Sequence, residues 1–217
     1  MSPRTKEQNE EIRKERMRQL LRAAVLVYAE KGYAASEIGE IAERAGLARG
    51  LVYHYFKDKR TLFRELYEHM MEGSRQFTRS HFEREGPAFE RFVEYAEKVC
   101  RQVLEDPATA RFYMRIALDV QYLYDPGTFS PFEWMKSFIR PMTEAVEAGM
   151  RDGTIRGGDA SLLAMQFWGA VSQGMNYLGQ LQREMLANGT SEAEALERLE
   201  VVLGQVVESA VAVIRPE

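Results

Sequence analysis

The side chains best suited to recognition chemistry lie in one stretch, residues 32–62, GYAASEIGEIAERAGLARGLVYHYFKDKRTL. Arg49 carries a planar fork of donors that matches the O6 and N7 acceptors of guanine in a DNA major groove. Gly50, Tyr53, His54 and Tyr55 follow within two helical turns, and Lys59 opens the next helical segment, where free amides already favour an anion. This is the chemistry of non-covalent contact with a phosphate-rich polymer. No catalytic arrangement competes with it: His54, His69 and His81 have no cysteine cluster, and Walker, G-x-S-x-G, H-E-x-x-H and dinucleotide patterns are missing. We therefore expect no enzyme activity, no metal and no cofactor.

The elements that must position these residues read as helices. Residues 8–31 place Met17, Leu20, Leu21, Ala24, Val27 and Tyr28 on one stripe, and Gly32 ends it. Short helices follow over residues 37–45 and 49–56, turned through Gly46. Ile38 and Ile41 make the apolar face of the first, Ala42 permits a close crossing, and Leu47 plugs the junction. Val52 and Phe56 return to the core, which leaves Arg49, Gly50, Tyr53, His54 and Tyr55 facing outward. Such a pair is a helix-turn-helix, one helix bracing a second that lies in the major groove. The spacing leaves Tyr53 and Tyr55 open as either groove residues or core aromatics.

On these residues the chain resembles the TetR family of regulators. Gly32, Tyr33, Ile41, Ala42, Ala45, Gly46, Gly50, Tyr53, His54, Tyr55, Phe56, Lys59 and Leu62 stand in the family's register, and 149–159, GMRDGTIRGGD, resembles the connection before its last two helices. The resemblance implies that Tyr53 and Lys59 hold phosphates, while Arg49, Gly50, His54 and Tyr55 sit at the groove. Ser36 is expected to cap the first short helix, Gly39 to let backbone approach the duplex, and Leu51 to offer a contact for a thymine methyl. The sequence departs from the family at Glu37, Ala48 and Leu51, each standing where a hydroxyl is common. That places affinity and site choice in question more than DNA binding itself.

Charge is distributed accordingly. Through Leu62 there are 13 Lys and Arg against 9 Asp and Glu, and beyond it 16 against 24. A cationic head on an acidic body fits a polyanion at one end. The leading basic residues Arg4, Lys6, Arg13, Lys14, Arg16 and Arg18 are interleaved with Glu7, Glu10, Glu11 and Glu15, so they form either extra backbone contacts or a solvated face. Cys100 is alone and sits in an apolar pattern, as a reduced core thiol would, and the N-terminus has no signal-peptide run. Residues 160–182 carry no charge, yet Gln166, Ser172, Gln173, Asn176, Gln180 and Gln182 suit a protein interface rather than a bilayer. A cytoplasmic protein without a membrane span is expected.

The remaining chain reads as further helices starting at Gly86-Pro87, Asp106-Pro107, Phe132, Ala160 and Ser191, with a bend expected near Pro141. Residues 112–138 are dense in aromatics, which either line a ligand pocket or fill a core. TetR-type bodies hold an effector between middle helices. By that resemblance, a small apolar or aromatic effector would meet Phe112, Ile116, Trp134, Phe138, Phe167, Met175 and Tyr177, oriented by Asp119, Gln173 and Asn176. The last two helices are expected to form a homodimer interface, with Gly169, Gly174 and Gly179 allowing close approach.

The expected fold is all-α: a three-helix DNA-binding head containing the helix-turn-helix (residues 1–58), and a C-terminal helical bundle for ligand binding and dimerisation (residues 59–217). The expected function is a ligand-responsive regulator, a repressor on a palindromic double-stranded operator. The alternatives are an activator, or a helical ligand carrier or enzyme whose head no longer reads DNA.

Overall fold

A computed structural model describes residues 5–216, so Arg4 of the basic run lies outside the described residues. Among them the regular structure is helical: α1 (Lys6–Ala35), α2 (Ile38–Arg44), α3 (Arg49–Tyr55), α4 (Lys59–Phe82), α5 (Ala88–Glu105), α6 (Pro107–Leu123), α7 (Pro131–Asp152), α8 (Ala160–Ala187) and α9 (Glu192–Val211). The chain forms two compact units, one of residues up to 71 with 111–129, the other of residues 72–110 and 130–217.

In the first unit α1 packs on α2 and α2 on α3. Leu20, Val27, Ile41, Val52, Phe56, Leu62, Phe63 and Leu66 are buried, in the stripe that helical periodicity sets. Each large apolar side chain removed from water contributes roughly 1.5–3 kcal/mol. Tyr28 is at the centre, its ring 5.6 Å from Phe63 and 5.1 Å from Phe112. Its hydroxyl donates to Asp119 Oδ2 at 2.7 Å, and the Tyr33 amide donates to the same oxygen at 3.3 Å. Burial, and then the Asp119 carboxylate, push the Tyr28 phenol far above its ordinary pKa. At Gly32 the backbone leaves the helix with φ 76°, and a Cβ there would stand 2.7 Å from Arg115 Nη2. Arg115 also donates to the Ala29 carbonyl at 3.3 Å, so the end of α1 is held by α6.

In the second unit α8 packs against α9 and α7, and α5 against all three. Phe92, Cys100, Phe138, Met142, Phe167, Val171, Leu178, Leu199 and Leu203 share one core. The helix starts are capped by side chains: Ser130 takes the Glu133 amide, Asp159 the Leu162 amide at 2.7 Å, and Ser191 the Glu194 amide. Cys100 is fully buried, and burial raises its thiol to about 12, so it stays protonated at neutral pH. Gly174, expected between copies, faces its own chain instead: a Cβ there would overlap Val206 Cγ1 of α9. A Cβ on Gly169 would meet nothing within 4 Å.

A buried histidine makes the stability of this unit sensitive to pH. His81 is 4% exposed, its Nε2 is 2.7 Å from the Arg91 carbonyl, and its ring lies 5.2 Å from Phe82 and 5.3 Å from Tyr95. Burial lowers its pKa, the Arg91 carbonyl opposes that, and Lys98 and Arg84 lower it further. The folded chain therefore binds fewer protons than the unfolded chain below the ordinary histidine value of about 6.5. Stability from this site is complete above that pH and is lost as pH falls toward the depressed folded value. Thermal unfolding at pH 8 and pH 5.5 should show a smaller drop for His81→Gln than for the wild type; equal drops would refute this account.

Candidate functional site

The outward face of α3 is built by the turn that precedes it. Ile38, Ile41 and Ala42 are buried and hold α2 down. α2 then ends at Gly46, whose φ of 66° is left-handed. The Leu47 amide donates to the Ala42 carbonyl at 2.9 Å and the Gly46 amide to Glu43 at 3.0 Å, the paired bonds of a Schellman motif. Of the seven residues of α3 only Val52 is buried, and Phe56 beyond it is 1% exposed. Arg49, Gly50, Tyr53 and His54 are consequently exposed together, while Leu51 and Tyr55 are half-buried at the margins.

Arg49 lies along this face. Its Nη2 donates to the Tyr53 hydroxyl at 3.4 Å, its Cζ is 5.7 Å from the centre of that ring, and its Nη1 is 3.8 Å from where a Cβ on Gly39 would be. Gly39 thus leaves room for a guanidinium across the start of α2. The Tyr53 hydroxyl and, more weakly, the Glu37 carboxylate favour the charge on Arg49. The acid that stands out of register at position 37 therefore faces a compensating cation. The His54 and Tyr55 rings meet edge to face at 5.7 Å.

One expectation changes. Ser36 does not cap α2: it is fully buried and its hydroxyl donates to the Gly32 carbonyl at 2.7 Å, so it closes α1 instead. The N-cap of α2 is Glu37, without a side-chain bond. Lys59 donates to the Ala34 carbonyl at 3.0 Å and its ammonium lies 4.9 Å from the Tyr33 ring centre. It keeps two further N–H donors, since an ammonium has three.

Ala48 is the N-cap of α3 with extended φ/ψ of −66° and 135° and no side-chain bond. Serine at this position has the backbone geometry to accept from an amide of the first turn, which is worth about 0.5–2 kcal/mol. Ala48→Ser is expected to raise the denaturant midpoint without changing the slope; an unchanged or lower midpoint would show that these amides have no use for the hydroxyl.

The effector candidates divide between the units. Phe112, Ile116 and Asp119 belong to the first, where Phe112 and Ile116 are core and Asp119 already accepts from Tyr28 and Tyr33. In the second, Trp134 stacks on Phe138 at 5.3 Å and 12°, while Phe167 is buried edge-to-face against Phe92 at 4.8 Å. Met175 is half-buried, and Gln173, Asn176 and Tyr177 are exposed on α8, Tyr177 by 54%. The sequence reading missed Trp168, which meets Phe138 at 4.8 Å and Tyr95 at 6.5 Å. Its only signal was its place in the uncharged run of α8. No group of three or more His, Cys, Asp or Glu that would hold a metal occurs among the described residues, and none of their helices is long and apolar enough to cross a membrane.

Comparison with known proteins follows the same division. Residues 20–66 match the family of bacterial regulatory proteins, tetR family. The HTH-type transcriptional regulator AcrR of Shigella flexneri is 37% identical over 68 residues, 31% of this chain and 30% of that protein. The fatty acid metabolism regulator protein of Bacillus subtilis is 43% identical over 53 residues, 24% of this chain and 27% of that one. The matched segments thus span under a third of either relative's length. The fold extends further: the crystal structure of FadR from Bacillus subtilis in complex with stearoyl-CoA superposes with a TM-score of 0.65 at 20% identity, over 91% of this chain and 99% of that one. Residues 20–66 are thus a helix-turn-helix segment of the tetR type in sequence, carried on a chain that shares the fold of these solved regulators.

Proposed function

We propose that this regulator acts in the cytoplasm as a homodimeric repressor on a palindromic operator and is released by a small apolar or aromatic effector. The observation that carries the proposal is the exposure of Arg49, Gly50, Tyr53 and His54 together on α3, braced by the Gly46 turn. Two such helices in successive major grooves stand about 34–36 Å apart, so operator symmetry would mirror that of the dimer. Leu162, Met165, Tyr177 and Val201 are 53–69% exposed on α8 and α9, an apolar surface that a second copy would cover. Gln173 and Asn176 are exposed on α8 too, and we assign them to that interface in preference to the effector. As functional parts we take residues 1–58 as the DNA-binding head and residues 59–217 as the body.

For the effector we retain the aromatic residues of the second unit, centred on Trp134 and Phe138. FadR of Bacillus subtilis, which shares this fold, binds stearoyl-CoA, and the long acyl chain of that ligand supports a site that takes an apolar group. Near-complete release requires the effector to favour the non-binding state by roughly 5.5 kcal/mol. Selection from a random duplex pool tests the DNA reading: recovery of a palindrome whose binding falls steeply with salt supports it, and absence of enrichment refutes it. The position of the recovered sites relative to promoters separates repressor from activator.

A further inference from the structure

Four buried side-chain atoms have no hydrogen-bond partner among the described residues: Arg75 Nε, Arg91 Nε, Gln182 Oε1 and Trp134 Nε1. The first three belong to groups that are otherwise engaged. Arg75 pairs with Glu72, Arg91 donates to the Phe82 and Arg84 carbonyls, and Gln182 Nε2 donates to the Leu104 carbonyl at 2.9 Å. An indole has a single polar atom, a donor, so at Trp134 the whole hydrogen-bonding capacity is unmet. Folded proteins seldom leave a buried donor in that state, because desolvation is not repaid.

The surroundings define what would satisfy it. Trp134 stacks on Phe138, which meets Trp168, which in turn lies against Tyr95. These rings carry no formal charge themselves, so a carboxylate laid on them incurs a desolvation cost that a neutral carbonyl largely escapes. A carbonyl oxygen accepts from the indole without that cost. Nε1 is closed to solvent in this conformation, so the acceptor arrives only with a shift of the rings around it.

Resting on the effector reading above, we infer that Trp134 Nε1 is the polar recognition point of the effector site and selects uncharged apolar molecules that bear a carbonyl oxygen. Binding then exchanges a sealed, unsatisfied donor for a bonded one in a rearranged ring cluster, which ties recognition to conformational change.

Trp134 and Trp168 are the only tryptophans in the chain, so the indole N–H spectrum of protein labelled with 15N has two signals, assigned with Trp168→Phe. The probes are 4-phenylbutan-2-one, its hydrocarbon counterpart butylbenzene, and 3-phenylpropanoate. The ketone is expected to move the Trp134 signal downfield and to bind more tightly than the other two. Trp134→Phe should weaken ketone binding about fivefold, the worth of one ordinary hydrogen bond, and leave butylbenzene unchanged. Equal binding of ketone and hydrocarbon, preference for the carboxylate, a Trp134 signal that stays still, or no binding by any probe would each overturn the inference. Operator affinity measured with the same probes keeps the two readings apart: ketone-selective binding that leaves DNA affinity unchanged removes the release mechanism and not the role of Trp134.

Discussion

Replacing Arg49 with alanine is expected to cost about 1–3 kcal/mol of operator affinity, roughly 5- to 150-fold, and to relax preference at one base pair of each half-site. The side chain is exposed on α3 and its present interactions are weak: a 3.4 Å bond to the Tyr53 hydroxyl and a 5.7 Å approach to that ring. Turning the guanidinium toward a base edge therefore sacrifices little. Its removal touches no core residue, so the unfolding midpoint should hold within about 0.5 kcal/mol. Lys59→Ala is the contrasting variant. On the proposal that Lys59 offers its remaining donors to a phosphate, its removal is expected to weaken binding to all sequences alike and to lower the salt slope by about one, while the missing bond to Ala34 also reduces stability. Titrations of the selected operator and a single-base variant separate the two patterns. An Arg49→Ala protein with wild-type affinity and wild-type preference would mean that the exposed face of α3 does not read DNA.

Much of the head was legible because its determinants are local. Gly46, Leu47, Val52 and Phe56 state the turn and the buried face within eleven residues, and the periodicity that exposes Arg49 and Tyr53 is the same one that buries Val52. Ser36 was not legible. A hydroxyl between two helices can bond the last carbonyls of one or the first amides of the next, and the left-handed backbone at Gly32 brought its carbonyl within 2.7 Å. Asp119 is offered as a polar group for a ligand only by the family resemblance. Its partner is Tyr28, 91 residues earlier, and nothing in either local sequence announces that pairing. In the bundle, the helix starts near Ala160 and Ser191 were legible, and the structure shows Asp159 and Ser191 capping them, whereas partner choice for each face was not legible. A stripe of exposed residues on α8 and a stripe against α9 have the same period, and only packing tells them apart.

Gly174→Ala shows how packing outweighs local preference. Alanine in an exposed helix interior gains about 1 kcal/mol over glycine, and Gly73 on α4, with nothing within 4 Å of a Cβ, should show that gain. At Gly174 the new methyl would overlap Val206 Cγ1 and stand 3.3 Å from Val206 Cβ. Rotating valine relieves the first clash and leaves the second, because the branched carbon itself cannot leave α9 without moving the helix. Overpacking of this kind costs about 1–3 kcal/mol, enough to cancel the propensity gain and reverse its sign. Gly174→Ala is therefore expected to lower the unfolding midpoint while Gly73→Ala raises it. Val206→Ala in the same chain should recover most of the loss, with a coupling between the two sites that exceeds simple addition. If Gly174→Ala were as stabilising as Gly73→Ala, α8 and α9 would be too loosely packed to need a glycine there, and the assignment of Gly174 to packing within one chain would fall.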